Sequence, residues 1–113
     1  MHELSLCRAV ADVATSYAEQ RDVTRVTLRE GHLRQVVPET LVFCWKMVTD
    51  GTELAGCELV VEHVPAVGVC RPCGARNELE KPVLRCAACG SRDVSLVSGE
   101  ELLVASMDLA TSA

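Results

Sequence analysis

The sequence predicts an α+β fold in two parts: a small domain of two helices and a three-stranded sheet, with a cysteine-rich module inserted before its last strand. Three observations predict it. Apolar residues recur at helical spacing in two segments and at alternate positions in three others. That periodicity lapses between about residues 66 and 98. Four of the seven cysteines fall inside the lapse.

From Leu4 to Ala18, Leu6, Val10, Val13 and Tyr17 repeat with a helical period beside a strip of small residues, Cys7, Ala11, Ala14 and Ala18, which predicts a helix of about four turns. "EQRD" ends it. "VTRVTLREG" then alternates Val26 and Leu28 against Arg25, Thr27 and Arg29, a half-buried strand closing at Gly31. After the linker "HLRQVV", Pro38 suits the first residue of a second helix, "PETLVFCWKMVTDG", ended by Asp50 and Gly51 and apolar on most sides. "CELVVEHV" is a strand stopped by Pro65. Beyond the cysteine module, "EELLVASMDL" alternates Leu103, Ala105, Met107 and Leu109 against polar neighbours, a strand expected to rejoin the first sheet. The expected domains are therefore residues 1–65 with 99–113, and residues 66–98 as an insertion.

Composition limits the functional classes. With 113 residues the chain has room for one ordinary domain, or for a smaller one plus a module stapled by something other than a core. Hydrophobic residues make up 49%, but one Trp, one Tyr and one Phe leave burial to Val, Leu and Ala. No apolar run approaches the roughly 20 residues that span a bilayer, and the "MHE" start is unlike a secretory signal. A cytoplasmic protein without a membrane role is expected. A net charge of −5 argues against a partner made of phosphates and favours a protein or a cation.

"CRPCG" and "CAACG" set Cys70, Cys73, Cys86 and Cys89 as two Cys-x-x-Cys pairs with 12 residues between them. Such turns aim two sulfurs at one centre, and two turns complete the tetrahedral thiolate shell of a structural Zn(II). The glycine after each second cysteine suits a tight turn and leaves amides free to donate to sulfur. The module is thus a zinc ribbon with short hairpin arms. Apart from Leu79, Val83 and Leu84 it has little to bury, so metal must supply most of its folding free energy, of order 10 kcal/mol. A pair of disulfides, disfavoured by the compartment, and an iron or iron–sulfur site are the competing readings. Residues 66–98 carry five bases and three acids, an excess that a tetrathiolate zinc site cancels, and no aromatic residue on which a base could stack. Cys7, Cys44 and Cys57 lie in apolar or small-residue surroundings and read as buried, unreactive thiols.

The first three residues are the second constellation. With His2 in place, the Met1 amine, the His2 amide nitrogen and the imidazole Nδ1 can close adjoining five- and six-membered chelate rings, the fourth donor being the Glu3 amide, the Glu3 carboxylate or another histidine. Planar nitrogen donors select Ni(II) or Cu(II). Every one of those nitrogens must give up a proton, so affinity should fall steeply as the pH drops below about 7. His32, in a linker, and His63, near a strand end, are optional further ligands and otherwise surface or hinge residues.

Taken together, "MHELSLC", "GHL" before "PETLVFCW", "GTELAGCELVVE", the two cysteine pairs and "SGEELLVASMDL" resemble, in order from Met1 to about Leu109, the HypA/HybF hydrogenase nickel-incorporation family. The resemblance implies a non-enzymatic metallochaperone: a nickel-binding α/β domain with an inserted zinc ribbon. It implies Ni(II) as cargo at His2, with the Met1 amine and Glu3 beside it, and structural Zn(II) on Cys70, Cys73, Cys86 and Cys89. It further implies delivery, with a HypB-type GTPase, to the [NiFe]-hydrogenase large-subunit precursor, with urease served in some organisms. Separately, a monomer or weak homodimer that binds neither nucleic acid nor membrane is expected. His32, Trp45 and Lys46 depart from the family pattern, the last two on the helix where partner recognition is expected. The rival reading is a zinc-ribbon interaction adaptor with no nickel function. A redox role would need one cysteine pair free of metal.

Overall fold

The computed structural model describes residues 2–110. Helix α1 (His2–Ala18) is followed by β1 (Val23–Gly31), a 3-10 turn (His32–Arg34) and helix α2 (Pro38–Thr49). Then come β2 (Glu58–Val64), β3 (Val67–Cys70), β4 (Arg76–Glu78), β5 (Val94–Ser98) and β6 (Leu102–Leu109). The strands form two three-stranded sheets, ordered β2-β1-β6 and β4-β3-β5. The last strand does rejoin the first sheet, as its alternation predicted. It joins beside β1, and Arg25 on that central strand ties its neighbours on the exposed face, donating from Nε to Glu58 at 2.9 Å and from the guanidinium to Asp108 at 3.1 Å.

Contacts divide the chain into two compact units, residues 1–28 with 36–62 and 103–113, and residues 29–35 with 63–102. In the first unit α1 and α2 cover a core of Cys7, Val10, Ala14, Ala18, Val26, Leu28, Leu41, Trp45, Leu54 and Leu59. The buried face of helix α1 combines Val10 of the larger stripe with Cys7, Ala14 and Ala18 of the small-residue strip. Val13 and Tyr17, expected on the apolar face, are exposed, Tyr17 at 73%, whereas Ala14 is wholly buried. Helix α1 gives this core Cys7, Val10, Ala14 and Ala18, and α2 gives it Leu41 and Trp45, its one large aromatic side chain. Trp45 is buried and its indole nitrogen donates to the Cys57 carbonyl at 2.8 Å, satisfying the ring's polar end. Helix α2 starts at Pro38, as expected for a residue without an amide hydrogen to lose, but only Leu41, Trp45 and Thr49 are buried on it. Phe43 and Met47 face out.

The phase of β6 also differs from expectation. Leu103 and Ala105 point outward, while Val104, Met107 and Leu109 pack on the core. The inward set shifts from even to odd positions between Val104 and Met107, so a single alternation through the strand could not describe both ends.

In the second unit β3 lies between β4 and β5, antiparallel to both, with an irregularity in the β5 register at Val67 and Gly68. The ribbon core is Cys70, Cys86 and Val94 with Ala75 against it. Leu79 is buried as expected, but Val83 and Leu84 are exposed, at 61% and 41%. Two of the three residues in that cluster are thus candidate metal ligands, which leaves almost no apolar area to stabilise the ribbon alone. Elsewhere in this unit Gly31 and Gly99 lie backbone to backbone: a Cβ on Gly31 would fall 2.3 Å from the Gly99 carbonyl carbon. The Leu33 amide donates to Gly99 O at 2.8 Å, which fixes the turn carrying His32.

Candidate metal centre

Cys70 and Cys73 flank the turn between β3 and β4, and Cys86 and Cys89 flank the matching turn before β5. The two turns are built alike. The Gly74 amide donates to Cys70 O at 2.8 Å and the Gly90 amide to Cys86 O at 2.8 Å, while the Cys70 and Cys86 amides donate to Ala75 O and Ser91 O at 2.9 Å each. Both glycines adopt positive φ, 76° and 77°, as the turn requires. The glycine amides bond carbonyls, however. The amides that lower thiol pKa values are those of Cys73, Ala75, Ala88 and Cys89.

All four sulfurs lie within 4.8 Å of one another, with Cys70 to Cys89 at 3.5 Å and Cys73 to Cys86 at 3.6 Å. A tetrahedron of about 2.3 Å Zn–S bonds has edges of about 3.8 Å, close to these two separations. A pair of disulfides would need about 2.05 Å between sulfurs, and all seven cysteines are unbridged. The surroundings pull the thiols in opposite directions. Amide donation, first from Cys89, pulls Cys86 down to about 6. The Cys73 amide acts the same way on Cys70, yet burial and the neighbouring sulfurs push Cys70 up to about 12. A divalent ion would hold all four as thiolates. It supplies a crosslink and leaves no open position.

Asn77 is a residue that spacing did not reveal. Buried on β4, it accepts from the Ala87 amide at 2.8 Å through Oδ1, donates to Ala75 O at 3.3 Å through Nδ2, and helps lower the Cys86 thiol. It therefore links the first turn to the second. Its sequence signal was weak, a lone polar residue between charged neighbours. Asn77→Ala should leave zinc at one per chain but speed its loss to a chelator by 10- to 100-fold, the usual cost of removing support around a ligand set. Chelator-competition kinetics check this.

Of the spare thiols, Cys7 and Cys57 are buried as expected, whereas Cys44 is only half-buried. Cys7 donates to Leu41 O at 3.2 Å, and burial first, then Cys44 and Glu3, hold it at about 11. Cys57 is likewise raised by burial. At the other candidate site Met1 lies outside the described residues. His2 is exposed in the first turn of α1, and Glu3 is buried, its carboxylate accepting from the Val37 amide at 3.4 Å. The first four amides of a helix have no acceptor within the helix, and that of Glu3 bonds its own carboxylate. His32 and His63, separate in sequence, are brought into contact: His32 Nδ1 lies 3.2 Å from His63 Nε2.

A family model described as "Hydrogenase/urease nickel incorporation, metallochaperone, hypA" matches residues 1–109. The chain belongs to the HypA family. It is 40% identical over 109 residues to the hydrogenase maturation factor HypA of Geotalea uraniireducens, covering 96% of this chain and 99% of that one. It is 42% identical over 104 residues to the HypA of Geotalea daltonii, covering 92% and 94%. The fold is that of the solution structure titled as the Ni metallochaperone HypA from Helicobacter pylori, with a TM-score of 0.66 at 17% identity over 99% of this chain and all of that one. Membership makes the protein a metallochaperone of nickel incorporation for hydrogenase maturation, with two helices, two small sheets and a four-cysteine zinc cluster. Among the described residues, no helix is long and apolar enough to cross a membrane.

Proposed function

We propose that the chain loads Ni(II) at its amino terminus and passes it, with a HypB-type GTPase, to the [NiFe]-hydrogenase large-subunit precursor in the cytoplasm. The nickel donors are the Met1 amine, the His2 amide and imidazole, and Glu3. The nickel site belongs to the α/β domain of residues 1–65 and 99–113, and the ribbon of residues 66–98 holds Zn(II) as a structural ion. The protein works by affinity and release and is not an enzyme.

The observation that carries this reading is the contrast between the two candidate centres. Four sulfurs around one point form a closed shell suited to permanent retention. His2, by contrast, is exposed at a helix start, where the neighbouring amides have no helical acceptor. Nitrogen donors there suit nickel and release it more readily than thiolates would. Glu3, anchored to Val37 by the 3.4 Å contact, fixes the first turn from which His2 projects. An adaptor without nickel function gains nothing from this arrangement, and the acidic net charge of −5 offers nucleic acid no footing.

Delivery is tested in cells whose only copy carries His2→Ala. The expected result is a nickel-free large-subunit precursor alongside normal amounts of zinc-loaded variant protein. Nickel-replete hydrogenase in those cells would contradict the reading.

A further inference from the structure

Outside both centres, the second unit contains a chain of contacts among Glu30, His63, His32 and the Glu80 carbonyl. His63 Nδ1 lies 2.9 Å from Glu30 Oε1, His63 Nε2 lies 3.2 Å from His32 Nδ1, and His32 Nε2 lies 2.9 Å from Glu80 O. The rings stand edge to face at 87°, with centroids 5.2 Å apart. Each outer nitrogen therefore faces an oxygen that only accepts, and it must carry that ring's hydrogen to bond it. With both rings neutral and Glu30 ionised, the two inner nitrogens are left with lone pairs toward each other at 3.2 Å. That contact is repulsive unless a cation lies between them.

We propose that His32 Nδ1 and His63 Nε2 form a second metal site, for a divalent first-row ion that favours imidazole. Two ligands at about 2.0–2.1 Å from one ion, separated by 90–110°, stand about 2.9–3.4 Å apart, a range that includes the observed spacing. The surroundings match what ligating imidazoles require: the outer N–H of one ring held by a carboxylate and that of the other by a backbone carbonyl, fixing tautomer and orientation. Glu30 is 1% exposed, so its charge calls for compensation nearby, and the His63 side chain is 49% exposed, so an ion can enter with water as its remaining ligands. The site uses neither His2 nor the ribbon cysteines, and with two protein donors it binds more weakly than either centre.

The test uses zinc-loaded full-length chain whose amino terminus is acetylated, which removes the proposed terminal donor set, titrated with Ni(II). One further equivalent should bind, with selective broadening of the His32 and His63 ring signals in the NMR spectrum. His63→Ala and His32→Ala, each checked for zinc content and melting, should weaken that binding at least 10-fold. No uptake by the acetylated chain would overturn the proposal and leave a proton between the rings. Uptake unchanged in the folded variants, or broadening of other residues, would overturn it too. Failure of terminal loading alone shows instead as one equivalent in acetylated and unacetylated chains alike.

Discussion

Stripping zinc from the protein, or replacing a ligand by Cys86→Ser, should unfold the ribbon from about residue 67 to 98 and leave the helical unit folded. The cause is the composition of the ribbon core, where Cys70 and Cys86 join Val94 and almost nothing else. Leu79 is buried, but Val83 and Leu84 contribute little because they face solvent. A tetrathiolate zinc site is worth of order 10 kcal/mol in such small modules, more than the marginal stability of a whole domain usually allows to be lost. The helical unit has its own core around Trp45, Leu41 and Leu28 and should persist. Amide hydrogen exchange followed residue by residue reads the outcome. Protection should vanish from β3, β4 and β5 and survive in α1 and α2. A ribbon that stays protected without metal would show that its packing had been underestimated.

The second large effect concerns nickel. His2→Ala should abolish stoichiometric Ni(II) binding at the amino terminus while zinc remains at one per chain and the melting transition is unchanged. Because His2 is exposed and Glu3 supplies the buried contact of that first turn, truncating the imidazole removes a donor without opening a cavity. The pH dependence has a definite sign. Amine, amide and imidazole must all be deprotonated to bind, so protons compete and affinity falls as pH falls through about 7. The zinc thiolates face the same competition, but four of them surround the ion in a closed shell, so zinc should be lost at lower pH than nickel. Metal analysis of the variant, and of the native chain at stepped pH, checks both.

What the sequence made legible follows from which signals are local. The cysteine spacing named the four cysteines that the fold brings together, and the glycines their turns, because a Cys-x-x-Cys-Gly turn is determined within a few residues. Both helices and the return of β6 to the first sheet were likewise readable from period and capping. Other features depend on what lies across the fold. Val13 and Tyr17 follow the helical period as well as Val10 does, and only the close packing of α1 on the core decides that Ala14 is inside and Tyr17 outside. The phase of β6 failed for the same reason. Asn77 bridges residues ten apart, and His32 meets His63 across 31, so neither pairing leaves a pattern along the chain.

The most direct test of the account is a Ni(II) titration of zinc-loaded protein in two forms, one with the Met1 amine free and one with it acetylated, followed by absorbance in the nickel ligand-field region. The free form should show a band of square-planar nitrogen coordination that saturates at one equivalent, and the acetylated form should not show it. An acetylated chain that develops the same band at the same stoichiometry and affinity would contradict the claim that the amino terminus holds the cargo.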